Sequence, residues 1–174
     1  MDASSQNQSV KFNVAKWIFF GLSVSLSLFL IINGAIPGET SAAESNGISA
    51  IIANVINAIK SDTITDANFN GLAQVIRKLL GHFLAFLVDG VFVSLACYFF
   101  LIKTNWYKFY YPIVISLGTG LIVASISELL QVFTNERYGS FVDIGIDMGG
   151  FVIGAAIVFL ILFSKKKLIV SVTN

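Results

Sequence analysis

Four apolar runs, over residues 17–36, 80–102, 111–133 and 141–163, set what this chain can fold into. Each is long enough to cross a hydrocarbon core of about 30 Å, which takes about 20 apolar residues in a helix. A backbone in lipid has no water to bond, and a helix satisfies its N–H and C=O groups internally. The pattern predicts an all-α membrane protein built as a four-helix transmembrane bundle. Composition agrees, since only 12% of the residues are charged, about half the share of an ordinary soluble domain. At 174 residues the chain reads as a single membrane domain, 1–174.

The runs are punctuated as spans should be. Pro37-Gly38 stops the first, and Lys103, Asn105 and Trp106 close the second. Trp106, Tyr107, Tyr110 and Tyr111 form an aromatic belt before the third, and Lys165, Lys166 and Lys167 stop the fourth. Lys11 and Lys16 precede the first run as the charges of a secretory signal would. Its apolar core exceeds the roughly 7–15 residues of a signal, and no clear cleavage site follows, so a retained signal-anchor helix is expected. No lipobox-type cysteine lies nearby. Cys97 is the only cysteine, which excludes an internal disulfide and a cysteine metal cluster and suits a small core hydrophobe. A net charge of +1 without a basic, aromatic-laced stripe speaks against nucleic acid as a partner.

Lysine placement predicts orientation. With the N-terminus inside, the inner segments hold seven basic residues (Lys11, Lys16, Lys103, Lys108, Lys165, Lys166, Lys167). The outer ones hold four (Lys60, Arg77, Lys78, Arg137). The positive-inside bias then makes this a multi-pass protein of the cell membrane with both termini cytoplasmic. The loop 37–79 falls outside. Within it Ile48, Ile51, Ile52, Val55, Ile56 and Ile59 recur at helical spacing, predicting an amphipathic helix over 47–60 between the first two spans. That helix could lie on the membrane surface or cap the bundle. A turn-rich patch, 61–71, follows, with a helix start near Asn70.

Polar side chains inside spans are costly and persist where they face protein or a wet cavity. On the predicted topology they gather at one depth, the outer leaflet. Asn33 ends the first span, and Arg77, Lys78 and His82 open the second. Glu128 and Gln131 lie in the last turns of the third, Arg137 in the following turn, and Asp143 and Asp147 in the first turns of the fourth. Glu128 and Gln131, at i and i+3, share a face. Asp143, Asp147, Gly150 and Gly154 continue into a glycine groove that lets another helix approach closely. Gly118, Gly120, Ala124 and Ser127 thin the third helix similarly, and His82 and Asp89, seven residues apart, share a face. An outward-opening polar pocket is the simplest consequence.

The run Glu128-x-x-Gln131, then Arg137, then Asp143-x-x-x-Asp147-x-x-Gly150 resembles the signature of VanZ-like membrane proteins. Arg77-Lys78 followed by His82-Phe83 resembles the family's basic-then-His-Phe start to its second helix, and Pro37-Gly38 with Ser41 and Ser45 its first loop. The match spans roughly residues 30 to 155. Two departures stand out: Asp147 replaces a usual Asn, and Lys78 precedes His82 by four residues where three is common. The resemblance implies a polytopic protein of Gram-positive bacteria linked to reduced susceptibility to teicoplanin and related lipoglycopeptides. It implies no settled reaction, and it leaves any cofactor open.

Three functions stay open. The first is binding or shielding of a membrane lipid, a lipid-linked envelope component or a lipoglycopeptide, with Arg77, Lys78, Gln131, Arg137, Asp147 and Asn33 as ligand-binding residues. The second is an enzyme acting on an anionic lipid-linked precursor. There Glu128 or Asp143 is the general base and His82 its proton partner, and the basic residues hold the anion. The third is proton-coupled transport through His82, Asp89 and the acids. No metal site is assigned: no two-His motif supports zinc, although Glu128, Asp143 and Asp147 offer hard oxygens suited to Mg²⁺ or Ca²⁺. Oligomeric state is not legible, since Gly145 and Gly149 suit a dimer face as well as an internal one.

Overall fold

The computed structural model describes residues 3–104, 108–135 and 138–172, leaving aside the side chains of 3–9, Glu44 and 165–172. Of the residues singled out above, Asn105, Trp106, Tyr107 and Arg137 lie outside that set. Helix α1 (Ala3–Gly34) runs through the first apolar stretch and stops just short of Pro37. Helix α2 is Gly38–Ile59, so it starts nine residues before the predicted amphipathic helix at 47. Pro37 both ends α1 and starts α2. Its φ of −54° and extended ψ of 147° turn the chain, and Gly38 opens the next helix. Gly38 N donates to Asn135 O at 3.1 Å, fastening this corner to the α5–α6 turn.

Helix α3 (Asp66–Ile76) begins four residues before the expected start near Asn70. Thr65 caps it, and the Asn68 side chain reaches back to Thr65 N at 2.8 Å. This is a capping box with Asn in the usual Glu or Gln place. The helix continues without a break through a π-helical stretch, Arg77–Leu84, into α4 (Ala85–Leu101). From Asp66 to Leu101 it spans 36 residues, about 50 Å, well beyond the hydrocarbon core. Its first turns therefore project past the bundle, where α2 packs on α3 as a helical hairpin. The Asn57 side chain clamps the hairpin's turn by accepting from Ile64 N and donating to Ile64 O, both at 2.8 Å.

Helices α5 (Tyr110–Val132) and α6 (Phe141–Val172) complete the bundle. Each predicted run lies in a helix long and apolar enough to cross a membrane, four among the described residues, and the fold class is all-α. Helix α4 packs against α1, α5 and α6, and α5 also meets α1 and α6. Leu30, Phe86, Val93, Val123, Ala124, Phe151, Ala155 and Phe159 form the core. The glycine groove is filled as its spacing suggests: a Cβ on Gly150 would run into Phe83 O, and one on Gly154 into Leu87 O. Gly120 faces the Phe151 ring, but Gly118 and Gly145 meet open space. Large apolar side chains such as Trp17, Val114 and Leu160 point outward, as a lipid-facing surface requires.

The α2 stripe is split, with Ile52 and Ile56 half-buried and Ile48 edging a hollow. The buried side of α2 is Ser49 and Ala53, while Ile51, Val55 and Ile59 are 67%, 58% and 83% exposed. At the opposite end of the molecule, Lys16 lies 4.1 Å from the Phe100 ring and Lys103 3.8 Å from that of Phe12.

Midway along the bundle, fully buried Asp89 of α4 accepts from Ser27 Oγ of α1, at 3.0 Å and 3.2 Å to its two oxygens. Ser27→Ala leaves that carboxyl without its bond across the α1–α4 seam. Hydrogen bonds between membrane helices contribute about 0.5–1.5 kcal/mol. A lowered thermal midpoint in detergent, with expression retained, is the expected readout.

Candidate functional site

The polar residues meet where the helical hairpin joins the bundle. The π-helical stretch carries Arg77, Lys78 and His82. Such stretches widen the helix to i→i+5 bonding and are frequent at functional sites. His82 points across to α6, where its Nδ1 lies 2.9 Å from Asp147 Oδ1. The same nitrogen is 3.8 Å from Glu128 Oε1 on α5. Three helices thus converge on one imidazole. Asp147 is fully buried and Glu128 only 2% exposed.

Glu128 is also the hinge pin of the α5–α6 corner. Its Oε2 accepts from Ser140 N at 3.0 Å, and its Oε1 from Gln131 Nε2, one turn along α5. Ser140 itself caps α6, with Asp143 N donating to its carbonyl at 3.1 Å and Val142 N to its Oγ at 3.2 Å. The turn can lie this close to α5 because residue 139 is glycine: a Cβ there would meet Glu128 O and the Val132 side chain, each at 2.6 Å.

Asp143 is drawn elsewhere. Lys78 Nζ lies 2.6 Å from its Oδ1, a half-exposed ion pair at the rim that joins the π-helical stretch to the start of α6. A partly solvated pair of this kind contributes little to stability, but it fixes the charge pattern at the mouth.

Two hollows flank His82. One is polar, about 320 Å³, lined by Gln74, Arg77, Lys78, Tyr138, Ser140 and Asp143. The other, about 300 Å³, is walled by Phe29, Leu30, Ile48, Ile76, Leu80 and Phe86, with Asn33, Ser41 and Ser45 adding polar edges. Arg77, His82 and Gln131 line both. Helix α2 supplies one wall of the second hollow through Ser41, Ser45 and Ile48.

Of the nine residues picked from sequence, His82, Glu128, Gln131 and Asp147 form one cluster. Lys78 and Asp143 pair at the rim, Arg77 spans both hollows, and Asn33 lines the apolar one. Arg137 lies outside the described residues. Sequence reasoning missed Ser140, whose backbone N–H holds Glu128, and Tyr138 in the polar hollow. Ser140 had a signal: Ser-x-x-Asp ahead of an apolar run marks a helix start. Asp89, below His82 on one helical face in the sequence reading, makes its described hydrogen bonds to Ser27 across the α1–α4 seam.

Chemically, one imidazole against two nearly buried carboxylates can share protons or hold a cation. Arg77, open to both hollows, suits an anionic group. A family model described as VanZ/LLP1 matches residues 16–163. No curated protein matches the chain, and no solved structure does.

Proposed function

Because the chain belongs to the VanZ/LLP1 family, we propose that it is a polytopic membrane protein of the cell envelope that binds an amphiphilic or lipid-linked molecule. Its contribution to lipoglycopeptide (teicoplanin) resistance in Gram-positive cells would be to hold or shield that ligand. One observation carries the reading: Arg77, His82 and Gln131 separate a polar hollow from an apolar one. A ligand with an anionic head and a hydrocarbon tail has a place for each. The head pairs with Arg77 and Lys78, and the tail lies along Phe29, Leu30, Ile48 and Leu80. The seven-to-four lysine and arginine bias supports a topology with both termini in the cytoplasm and the site in the outer leaflet, where an external lipoglycopeptide would first partition.

Blocking the tail's hollow tests this. Gly81 lines it and has room for a side chain, its Cβ direction meeting only Arg77 Cγ at 3.9 Å. Gly81→Phe fills the space and leaves every residue of the cluster in the sequence unchanged. Each methylene buried contributes about 0.8 kcal/mol, so displacing two or more from the hollow weakens binding at least about tenfold. Binding of teicoplanin to the protein in nanodiscs should fall by that much, while binding of the deacylated antibiotic should not change. Equal loss for both, or none for either, would remove the tail from the reading.

A second reading is favoured by the 2.9 Å contact between His82 and Asp147. An imidazole oriented by a buried carboxylate is a common acid–base pair. In that reading the bound lipid-linked anion is also a substrate, with Glu128 or Asp143 as base and His82 as proton partner.

A further inference from the structure

His82, Glu128 and Asp147 each turn a ligand atom toward a common point, and these atoms lie within 4.8 Å of one another. Two nearly buried carboxylates beside a single imidazole leave a charge to be balanced. Among the described residues no lysine or arginine pairs with Glu128 or Asp147, and the neighbouring Lys78 is held by Asp143. An independent observation points the same way: Asp147 is 0% exposed, yet its Oδ2 has no hydrogen-bond partner. Buried carboxylate oxygens are rarely left so without an ion or water. The second sphere is also in place, since Ser140 N and Gln131 Nε2 hold Glu128 from behind. Ligating carboxylates are commonly braced in this manner. A way in exists through the polar hollow that His82 lines.

We propose that His82, Glu128 and Asp147 form a binding site for a divalent transition-metal ion, Zn²⁺ or Mn²⁺. An imidazole nitrogen with carboxylate oxygens suits these ions, whereas Ca²⁺ takes 6–8 oxygens and Mg²⁺ prefers oxygen and water. With neutral imidazole, a dication brings the three-residue cluster to zero net charge. Three protein ligands leave a coordination position open toward the hollows, where the phosphate or carboxylate of a ligand could join it. The metal site deepens the binding reading without depending on it, because the ion is measured directly.

The test uses the full chain, purified in detergent without a polyhistidine tag, equilibrated with Zn²⁺ or Mn²⁺ and assayed by mass spectrometry for bound metal. A single ion per chain is expected. Asp147→Asn and His82→Gln, each nearly the shape of the original, should weaken it at least about tenfold, since loss of a mere second-sphere partner already costs 10–100-fold. Glu39→Gln, on the first turn of α2, controls for surface binding. A rise in thermal midpoint on adding metal, seen in the parent and lost in both variants, separates binding from misfolding. Folded parent protein that holds no ion would overturn the proposal. So would an ion that all the variants retain, and the cluster would then be a proton-sharing one.

Discussion

Gly150→Leu is expected to lose the folded bundle, while Gly145→Leu, five residues earlier on the same helix, is tolerated. A Cβ at Gly150 has nowhere to go: it meets Phe83 O, with the Phe83 carbonyl carbon and Leu87 N close behind. All three are backbone atoms, and a backbone cannot swing aside as a side chain can. The α4–α6 seam must open along its length, and the Asp147–His82 contact lies on that seam less than a turn away. Overpacking of a tight core costs about 1–3 kcal/mol and occasionally more, and a rigid obstruction belongs at the upper end. Against a total stability of about 5–15 kcal/mol, that is enough to lower abundance severely. Gly145 is exposed and meets nothing within 4 Å, so leucine there should raise helix propensity, if anything. Thermal unfolding in detergent and immunoblotted membrane abundance give the comparison. If Gly145→Leu proved as damaging as Gly150→Leu, the Gly145 face would be covered by a second copy of the chain. If neither were damaging, the seam would not be packed as described.

The same seam indicates what could be read in advance. Asp143, Asp147, Gly150 and Gly154 follow helical spacing, so their shared face and the close helix beside it were legible from residue types alone. The four spans were legible because bilayer thickness demands long apolar runs, and the common depth of the polar residues followed from them. Pro37-Gly38 was ambiguous: the pair that stops one helix also starts the next, and local rules describe the stop more strongly. The partner of His82 was hidden for a different reason. Seven residues separate it from Asp89, which puts both on one face of a regular α-helix, but the π-helical stretch to Leu84 changes the rotation per residue between them. His82 turns to Asp147 on α6 and Asp89 to Ser27 on α1. The four-residue spacing from Lys78 to His82 falls within this widened stretch. No propensity signals such a helix in a single sequence, since it is a local accommodation to packing. The ion pair of Lys78 and Asp143 is likewise a product of tertiary approach across 65 residues.

If the protein shields cells from teicoplanin as proposed, cells expressing Glu128→Gln are expected to lose that protection. The amide keeps the shape of the side chain but removes a charge from the cluster and replaces one acceptor with a donor. Glu128 now accepts from two donors, Ser140 N–H and the Gln131 amide. Glutamine has a single acceptor oxygen, which can stay on Ser140 N–H only if the Gln131 amide turns over to accept from the new Nε2; a donor left unpaired in the corner costs about 1–3 kcal/mol. Susceptibility of cells at matched membrane abundance is the measurement, but that result alone does not separate a structural hinge from a functional carboxylate. The double variant Glu128→Gln with Gln131→Glu does. Its glutamate at 131 accepts from the amide at 128, whose oxygen still accepts from Ser140 N–H, so every hydrogen bond of the corner is restored. The carboxylate, however, has moved one turn along α5, away from its place beside His82 and Asp147. The thermal midpoint should recover, while protection should not. Protection that returned with stability would make Glu128 only the pin of the α5–α6 corner, and the working part of the site would then lie in the hollows beside it.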